Sequence, residues 1–281
     1  MMIPRMSIVT ASYDQLDFLK LAARSIADQA GGFEVEHIVQ EGKGGDEFKR
    51  WADDQDFSVC FCEDDSGMYD AINRGFDRCS GDIIAWLNCD EQYLPGTLQR
   101  VVEWFEQNPD YDILVADVIL IDSKGEPLAY RSAMKPWKGH IRSCFLPTYS
   151  AATFVRRRVF EEGHRLDTNF RMIADAVWVM GFLREDYPIG VLNEPLAVFT
   201  QTGENLGQSK AGDEELNRWR RSGTRFPEIR RFFWQAAHRM RKLAMGGYKQ
   251  HKVEYRIFVN EGEDRKQFRG KVGEKWPTID S

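Results

Sequence analysis

Short apolar runs rich in β-branched residues alternate with amphipathic stretches over the first 120 residues. The apolar runs predict strands at Ser7–Thr10, Val35–Gln40, Ser58–Cys62, Ile83–Leu87 and Ile113–Leu120. The stretches between them have helical spacing and predict helices at Asp14–Gln29, Asp46–Asp54, Met68–Arg78 and Thr97–Gln107. This alternation is typical of a doubly wound α/β layer, whose ligands bind at the carboxyl ends of the strands.

After about residue 121 the regular alternation stops. Further strands of a mixed or antiparallel extension are predicted at Leu128–Arg131, Ala151–Val155 and Ile189–Phe199, with a helix at Met172–Arg184. Residues 201–216 are polar and turn-rich, which favours a linker or a mobile loop. A helical region broken by Pro227 is predicted from about Asn217, followed by a strand at Val253–Asn260 and a charged tail.

The formal net charge of −6 is the sum of two regions whose charges have opposite sign. Residues 1–204 carry 20 basic and 34 acidic side chains, whereas residues 205–281 carry 18 basic and 10 acidic ones. The overall acidic balance disfavours a general nucleic-acid binder. No apolar run reaches the length of about 18 residues that a membrane-spanning helix needs, and no secretory signal is visible at the start. These features predict a protein that works in the cytoplasm, or peripherally on the inner face of the membrane.

Five cysteines form an odd set without C-x-x-C spacing. Reduced, buried thiols are the simplest interpretation of this set, because a disulfide framework or a zinc site has a more regular spacing.

Polar residues follow each of the first four predicted strands. They lie at 11–14, 41–46, 63–67 and 88–91, and the last group is Asn88-Cys89-Asp90-Glu91. Amide and carboxylate oxygens in that position suit Mg²⁺ or Mn²⁺ bridging a diphosphate. A helix N-cap or a turn explains the same residues without a metal. The sequence contains neither G-x-G-x-x-G nor a P-loop motif, which disfavours ordinary dinucleotide and triphosphate sites.

Four segments then occur in one order, at Ser7–Gln15, His37–Gly42, Asp65–Gly75 and Gly81–Glu91. Together they resemble the nucleotide-sugar-binding half of family 2 glycosyltransferases, which are inverting enzymes of GT-A fold. The resemblance covers roughly residues 5–200, and its most specific part is D-S-G-x-Y-D-A-x-N-x-G followed by L-N-x-D. It implies an α/β fold of GT-A type, with a Rossmann-like, doubly wound mixed sheet and a C-terminal helical extension.

The resemblance also implies a binding site for a nucleotide-diphosphate sugar, with a UDP-sugar favoured. The implied contacts are Ala11, Ser12, Tyr13, Glu41, Asp65, Gly67, Asp70, Asn73, Asn88 and Asp90. Asp90 would bind Mn²⁺ or Mg²⁺, and Asn88 would face the ribose or the sugar. Ala11, Asp14, Glu41 and Glu91 depart from the residues usual in the family, which leaves the identity of the nucleotide open but keeps the metal carboxylate.

The segment from Ile173 to Trp178 is similar to the family's element in which an acidic residue precedes a tryptophan. The resemblance assigns Asp175 as the base that deprotonates the acceptor hydroxyl. The alternative is a structural carboxylate that caps the helix or pairs with Arg157 or Arg171, because a buried carboxylate without a partner is costly.

These inferences predict an inverting, metal-dependent transfer of a sugar to a hydroxyl of a glycan or a lipid-linked acceptor, in cell-surface polysaccharide biosynthesis. The predicted domains are a GT-A domain at 1–204 and a basic extension at 205–281. The nucleotide-sugar half of the first domain is about 1–120, and its acceptor half is about 121–204. The alternative function is a non-catalytic nucleotide- or glycan-binding module that keeps the fold.

The excess of basic residues in the extension lies in residues 218–245, which hold nine Lys and Arg and a single acidic residue, Glu228. Apolar residues recur there at helical spacing, at Ile229, Phe232, Phe233, Ala236, Met240 and Leu243. A basic amphipathic helix of this kind suits an anionic membrane surface, where each nearby cation contributes about 1 kcal/mol. Packing of the apolar stripe on the catalytic domain or on a second subunit explains the pattern equally well.

Overall fold

The structure, a computed structural model, describes residues 3–201, 210–222 and 225–275. In its first half, strands and helices alternate. The strands are β1 (Arg5–Ser12), β2 (Glu34–Glu41), β3 (Ser58–Cys62), β4 (Ile83–Trp86) and β5 (Glu91–Tyr93). The helices are α1 (Leu16–Ala27), α2 (Asp46–Asp53), α3 (Met68–Arg78) and α4 (Thr97–Gln107).

The second half adds mainly antiparallel elements and further helices. Its strands are β6 (Ile113–Ile121), β7 (Pro127–Arg131), β8 (Thr153–Arg156), β9 (Ile189–Thr200), β10 (His251–Ile257) and β11 (Lys266–Val272). Its helices are α5 (Lys138–Ser143), α6 (Arg157–Glu161), α7 (Ala174–Arg184), α8 (Lys210–Arg221) and α9 (Pro227–Ala244). None of the helices in the described ranges combines the length and the apolar composition needed to cross a bilayer.

One mixed sheet organises the molecule, in the order β3-β2-β1-β4-β8-β6-β9-β5, with β7 paired to β6. Strand β1 runs parallel to β2 and β4, and β2 runs parallel to β3. Strand β8 is antiparallel to both β4 and β6. The loops that follow β1 to β4 therefore leave the sheet at the same edge, as the sequence predicts, and the predicted α/β fold is confirmed.

Successive residues of β4 face opposite sides of the sheet, because side chains alternate along a strand. Ile83 and Ala85 join the apolar core with α1 and α4, whereas Ile84 and Trp86 join the core with α3 and α7. In the second core the ring centroids of Trp86 and Trp178 are 5.5 Å apart. This aromatic contact fixes α7 against the end of β4.

The predicted linker at 201–216 is wrong for its second part, because α8 already begins at Lys210. The rest of that prediction, at 202–209, falls outside the described residues. The predicted break of the helical region at Pro227 is confirmed, because α8 ends at Arg221 and α9 begins at Pro227, which occupies its first turn. Proline is tolerated there, since the first backbone N–H groups of a helix have no intrahelical acceptor.

The predicted charged tail contains a strand that the sequence analysis missed. Strands β10 and β11 form an antiparallel hairpin, and one face of this hairpin packs on β6, β7 and β9 through Val253, Tyr255, Ile257, Phe268 and Val272. The described end of the chain therefore shares an apolar core with the domain before it.

The five cysteines are free thiols, as predicted. Cys89 and Cys144 are buried, but Cys62 is exposed, which corrects the expectation that all five are buried.

Candidate functional site

The loops after β1, β2 and β3 meet above the sheet edge. Ser12 and Glu41 are register partners at the ends of β1 and β2. A Cβ atom on Gly42 would lie 2.6 Å from Asp65 Oδ2 and 3.0 Å from Tyr13 Cδ2. A side chain at this position would displace the Asp65 carboxylate, because the side chains of Asp65 and Tyr13 approach the Gly42 backbone so closely. The structure thus brings Tyr13 and Asp65 together, and Tyr13 remains 65% exposed.

Glu41 organises this part of the site from below. Its side chain is buried, and its Oε1 accepts hydrogen bonds from the backbone N–H groups of Asp14 (3.0 Å), Lys43 (3.0 Å) and Gly44 (3.2 Å). Asp14 has a φ of +55°, a conformation that few residues other than glycine adopt. One carboxylate oxygen of Glu41 therefore holds both loops in place.

The segment at the start of α3 is held mainly by contacts among residues 65–74. Asp65 Oδ1 accepts the N–H of Gly67 (2.8 Å), whose φ of +130° suits glycine. Asp70 Oδ2 accepts the N–H of Ser66 (2.9 Å) and pairs with Arg74 (3.0 Å).

The amide of Asn73, one turn after Asp70 on α3, is also engaged within the protein. It binds the backbone of Leu166 in both directions, as donor (2.8 Å) and as acceptor (3.0 Å). Asp70 and Asn73 thus make the contacts of residues that support the fold.

The chain makes a tight turn directly after β4. Glu91 accepts the backbone N–H of Asn88 at Oε2 (2.8 Å), and the N–H of Glu91 returns to the carbonyl of Asn88 (3.1 Å). Burial raises the pKa of the Asp90 carboxyl, and burial together with the charge of Asp90 raises that of Glu91. Asn88 Oδ1 is buried and accepts no hydrogen bond from the described part of the chain.

This turn fits a divalent cation that is held jointly with a substrate. The described residues contain no cluster of three or more His, Cys, Asp or Glu that would hold a metal by themselves. Mg²⁺ and related ions need only one or two carboxylates when substrate phosphates complete the coordination. The Asp90 carboxylate and the unsatisfied amide oxygen of Asn88 are an oxygen donor set of that kind.

A solvent-open cavity of about 360 Å³ lies beside Asp90. The residue that follows β10, Phe258, lines it together with Gln92. The Gln92 amide binds the carbonyl and the N–H of Phe258, each at 2.9 Å. The sequence analysis missed this contribution, because residues 92 and 258 are far apart in the chain and Gln92 belongs to no motif.

Asp175 lies in the first turn of α7. Its side chain is only partly accessible, and Oδ1 accepts the backbone N–H of Ala176 (2.8 Å). Burial raises the pKa of this carboxyl to about 6. Arg157, one of the two cations considered as partners, donates instead to the carbonyls of Ser80 and Cys79. No ion pair with Asp175 occurs among the described residues.

A second carboxylate holds the start of α7. Glu215, from α8, accepts the backbone N–H groups of Arg171 (3.0 Å), Met172 (2.8 Å) and Ile173 (3.2 Å). Tyr69 of α3 completes the group: burial raises its pKa first, and the charges of Asp175 and Glu215 raise it further. Three elements therefore meet at the candidate base.

Known families and proteins resemble this chain in sequence and in fold. The pattern of glycosyl transferase family 2 matches residues 7–173, which is more than half of the chain. A glycosyltransferase of Mycobacterium tuberculosis, itself uncharacterised, is 31% identical over 103 residues, or 36% of this chain and 39% of the relative. The match thus spans about two fifths of that relative's length.

Two further relatives match over longer segments. An uncharacterised glycosyltransferase of Nostoc is 24% identical over 244 residues, 76% of this chain and 74% of the relative. The putative teichuronic acid biosynthesis glycosyltransferase TuaG of Bacillus subtilis is 21% identical over 220 residues, 74% and 83% of the two chains.

Two solved structures share the fold. TarS 1-349 of S. aureus, in complex with UDP, aligns with a TM-score of 0.54 at 13% identity over 93% of this chain and 98% of that one. The mannosyltransferase PcManGT of Pyrobaculum calidifontis, in complex with GDP-Man and Mn²⁺, gives 0.55 at 13% identity over 87% and 80%. With the family pattern over residues 7–173 and a GT-A fold, the chain belongs to glycosyl transferase family 2 and carries that family's transferase domain.

Proposed function

We propose that this protein transfers a sugar from a nucleotide-diphosphate donor, with a UDP-sugar favoured, to a hydroxyl of a glycan or lipid-linked acceptor, with inversion at the anomeric carbon. One observation carries the proposal. Asp175 lies on a helix that the 5.5 Å contact of Trp178 with Trp86 holds against the strand leading to Asn88 and Asp90. A candidate base and a candidate diphosphate site are therefore built on one rigid unit.

The donor site proposed here lies where the loops after β1, β2 and β3 meet. Ala11, Ser12, Tyr13, Asp65 and Gly67 would contact the nucleotide, with the exposed Tyr13 ring beside the base. Glu41 has one oxygen bound to the loop backbone, so it would reach the nucleotide through its other oxygen. Asp70 and Asn73 would support this site through their contacts with Arg74 and Leu166. The UDP and GDP-Man complexes of the two structural neighbours support a nucleotide-sugar donor.

Asp90, with Asn88 beside it, would hold Mn²⁺ or Mg²⁺. Such an ion neutralises the negative charge that develops on the departing diphosphate. The Mn²⁺ in the complex of the structural neighbour PcManGT supports this choice of ion. Glu91 would stay beneath the turn, where it binds the backbone N–H of Asn88.

In the proposed reaction the Asp175 carboxylate accepts the proton of the acceptor hydroxyl. The hydroxyl oxygen forms a bond to the anomeric carbon, the bond from that carbon to the phosphate oxygen breaks, and its electron pair leaves with the nucleoside diphosphate. Attack opposite the leaving group inverts the anomeric centre. A carboxyl whose pKa is about 6 suits this task, because general-base catalysis is most effective near the operating pH.

Thermal-shift measurements with UDP-, GDP- and dTDP-sugars, with and without Mn²⁺, test the donor and the metal together. We expect a UDP-sugar to raise the melting temperature in the presence of Mn²⁺, and Asp90→Ala to remove that dependence. Asp53→Ala, at an exposed carboxylate on α2, is the matched control. Binding that needs no metal, without any hydrolysis or transfer, would instead favour the non-catalytic module. Release of UDP on addition of acceptor glycans then tests turnover, and the name of the relative TuaG makes cell-surface polysaccharides the first acceptors to try.

A further inference from the structure

Helix α9 packs on the rest of the molecule through its polar and aromatic side. A Cβ atom on Gly139 would lie 2.0 Å from the Trp234 ring, so the indole lies directly on the backbone of α5. His238 stacks on His140 with ring centroids 4.3 Å apart. Arg241 donates to the carbonyl of Lys135 at 2.6 Å. These contacts fix which side of α9 faces the protein.

The apolar stripe predicted from the sequence lies on the opposite side of α9 and faces solvent. No residue of α9 is buried. The large apolar side chains of the stripe are exposed to 62–76%, and they are Ile229, Phe232, Phe233, Met240 and Leu243. Isolated exposed apolar residues are ordinary on protein surfaces, but a contiguous row of this size marks an interaction site. The structure therefore does not show this stripe packed on the catalytic domain.

Exposed cations lie beside the stripe. Arg239 lies on α9, Arg225 lies just before it, and Arg221 lies beside Pro227 and Glu228 at its start. Residues 218–245 contain nine basic residues against one acidic residue. Arg230 and Arg241 have a different task, because they bind backbone carbonyls under the helix. The exposed surface thus combines an apolar centre with a cationic border.

We propose that α9 lies in the interface of an anionic lipid bilayer, with Phe232, Phe233 and their apolar neighbours among the acyl chains and the exposed arginines at the phosphates. An amphipathic helix of this composition binds by burying its apolar face while its cations attract anionic headgroups. This inference is independent of the donor, the metal and the base proposed above.

The same surface fits the other occupants less well. A twofold dimer would place the patch against its own copy, which brings cations against cations at a cost in affinity. A nucleic acid would neutralise the charge and could stack on Phe232 and Phe233, but it would leave the aliphatic side chains of Ile229, Met240 and Leu243 without an apolar partner. A bilayer offers acyl chains to the apolar stripe and anionic headgroups to the cations.

The placement of α9 links this surface to the acceptor half of the molecule. Helix α5 packs against α9 on one side and against α7 and α8 on others. Helix α7 carries Asp175, so only α5 separates the proposed membrane helix from the helix of the candidate base. A bilayer contact at α9 would therefore bring the acceptor half close to lipid-linked substrates.

Flotation of the full chain with lipid vesicles tests the proposal. Vesicles of phosphatidylcholine alone are compared with vesicles that contain about 30% phosphatidylglycerol, because the cationic border requires anionic headgroups. We expect binding to the anionic vesicles, weakened at least about tenfold by Phe232→Ser with Phe233→Ser, and weakened by added salt. The double substitution Arg221→Glu and Arg239→Glu is expected to lower binding to the anionic vesicles and to leave binding to the phosphatidylcholine vesicles unchanged.

The matched control is Ile3→Ser with Val59→Ser, which removes two apolar side chains exposed elsewhere, to 62% and 54%. This control is expected to bind as the unchanged protein does. Failure of the unchanged protein to float with anionic vesicles would overturn the proposal. So would a stable dimer, measured by light scattering without lipid, that the Phe232 and Phe233 substitutions dissociate, because the stripe would then belong to a second copy. Sugar transfer without lipid is a separate readout, so these outcomes leave the proposed function unaffected.

Discussion

Helices α7 and α9 are both rich in apolar residues, but the surroundings of their side chains are opposite. Helix α7 buries most of its length, including Trp178 and the fully enclosed Phe182, and it also carries a partly buried carboxylate, Asp175. Helix α9 buries none of its residues and exposes Phe232 to 76%. In α7 the apolar surroundings raise the free energy of a charge, and in α9 the apolar side chains are available to a partner. The apolar side chains are thus buried in one helix and exposed on the other.

The largest effect is expected when the carboxylate of Asp175 on α7 is removed. Asp175→Asn should lower kcat by a factor of about 10²–10⁴, because the acceptor hydroxyl would lose the proposed base. The same change should raise the free energy of unfolding above pH 6 by about 1–2 kcal/mol, since burial raises the pKa of this carboxyl and the ionised form is therefore destabilising in the folded state. Initial rates of UDP release and urea denaturation measure the two effects.

Asp186→Asn, at an exposed carboxylate just after α7, is the control for Asp175→Asn. It should leave both the rate and the stability within experimental scatter. Wild-type turnover by Asp175→Asn would assign the base to another group.

A matched pair of phenylalanines tests the packing difference directly. Phe182→Ala on α7 should lower the free energy of unfolding by about 3–5 kcal/mol, because it opens a cavity in the core. Phe232→Ala on α9 should change it by no more than about 0.5 kcal/mol, as is usual at exposed positions. Both values come from urea denaturation, and Phe182→Leu replaces Phe182→Ala if the alanine variant does not fold. Equal losses at the two positions would contradict the exposed placement of α9.

The start of α7 depends on the carboxylate of Glu215. Glu215→Gln keeps one acceptor oxygen for three backbone N–H groups, and we expect a loss of about 1–2 kcal/mol in the free energy of unfolding. Because the helix start carries Asp175, kcat should also fall while the donor KM stays nearly constant. Glu214→Gln, at the exposed neighbour in α8, is the control. If Glu215→Gln moved only the melting temperature, its carboxylate would have no positioning role.

The smallest expected effect is the acidic limb of the pH profile. The base acts when ionised, and the pKa of Asp175 is raised to about 6, so kcat should be constant above about pH 7 and should fall about tenfold per pH unit well below pH 6. Tyr69 from α3 interacts with this carboxyl, since the charges of Asp175 and Glu215 add to burial in raising the pKa of Tyr69. Rates at saturating donor from pH 5 to 8 measure the profile. A profile without any fall below pH 6 would argue against an ionised Asp175 as the base.

The sequence predicts local structure well where apolar spacing and burial agree. Helices α3 and α4 lie at the predicted Met68–Arg78 and Thr97–Gln107, and β3 lies at Ser58–Cys62. The polar loops after β1, β2 and β3 also converge as parallel-strand topology requires, which the contact of Gly42 with Tyr13 and Asp65 illustrates.

Other features leave too little trace in the sequence. Strand β5 is only three residues long, and β11 reads as a charged tail because only Phe268 and Val272 of it are buried. The contact of Glu215 with the start of α7 spans about 40 residues of sequence and involves backbone N–H groups, which have no sequence signature. Helical spacing predicts the apolar stripe of α9, but it carries no information on which side of the helix is covered.

The hairpin after α9 has a mechanical consequence for that helix. Arg265, just before β11, pairs with both carboxylate oxygens of Asp28 at 2.5 and 2.6 Å and donates to the carbonyl of Tyr93 at 2.8 Å. These bonds attach the chain beyond α9 to the first half of the molecule, so α9 is the middle of a loop that is closed at both ends rather than a free tail. A closed loop leaves its segment far fewer orientations than a flexible tail has. A force applied to α9 would therefore turn the whole sheet with it, and the angle between the sheet and any surface that α9 contacts would be set by the fold itself.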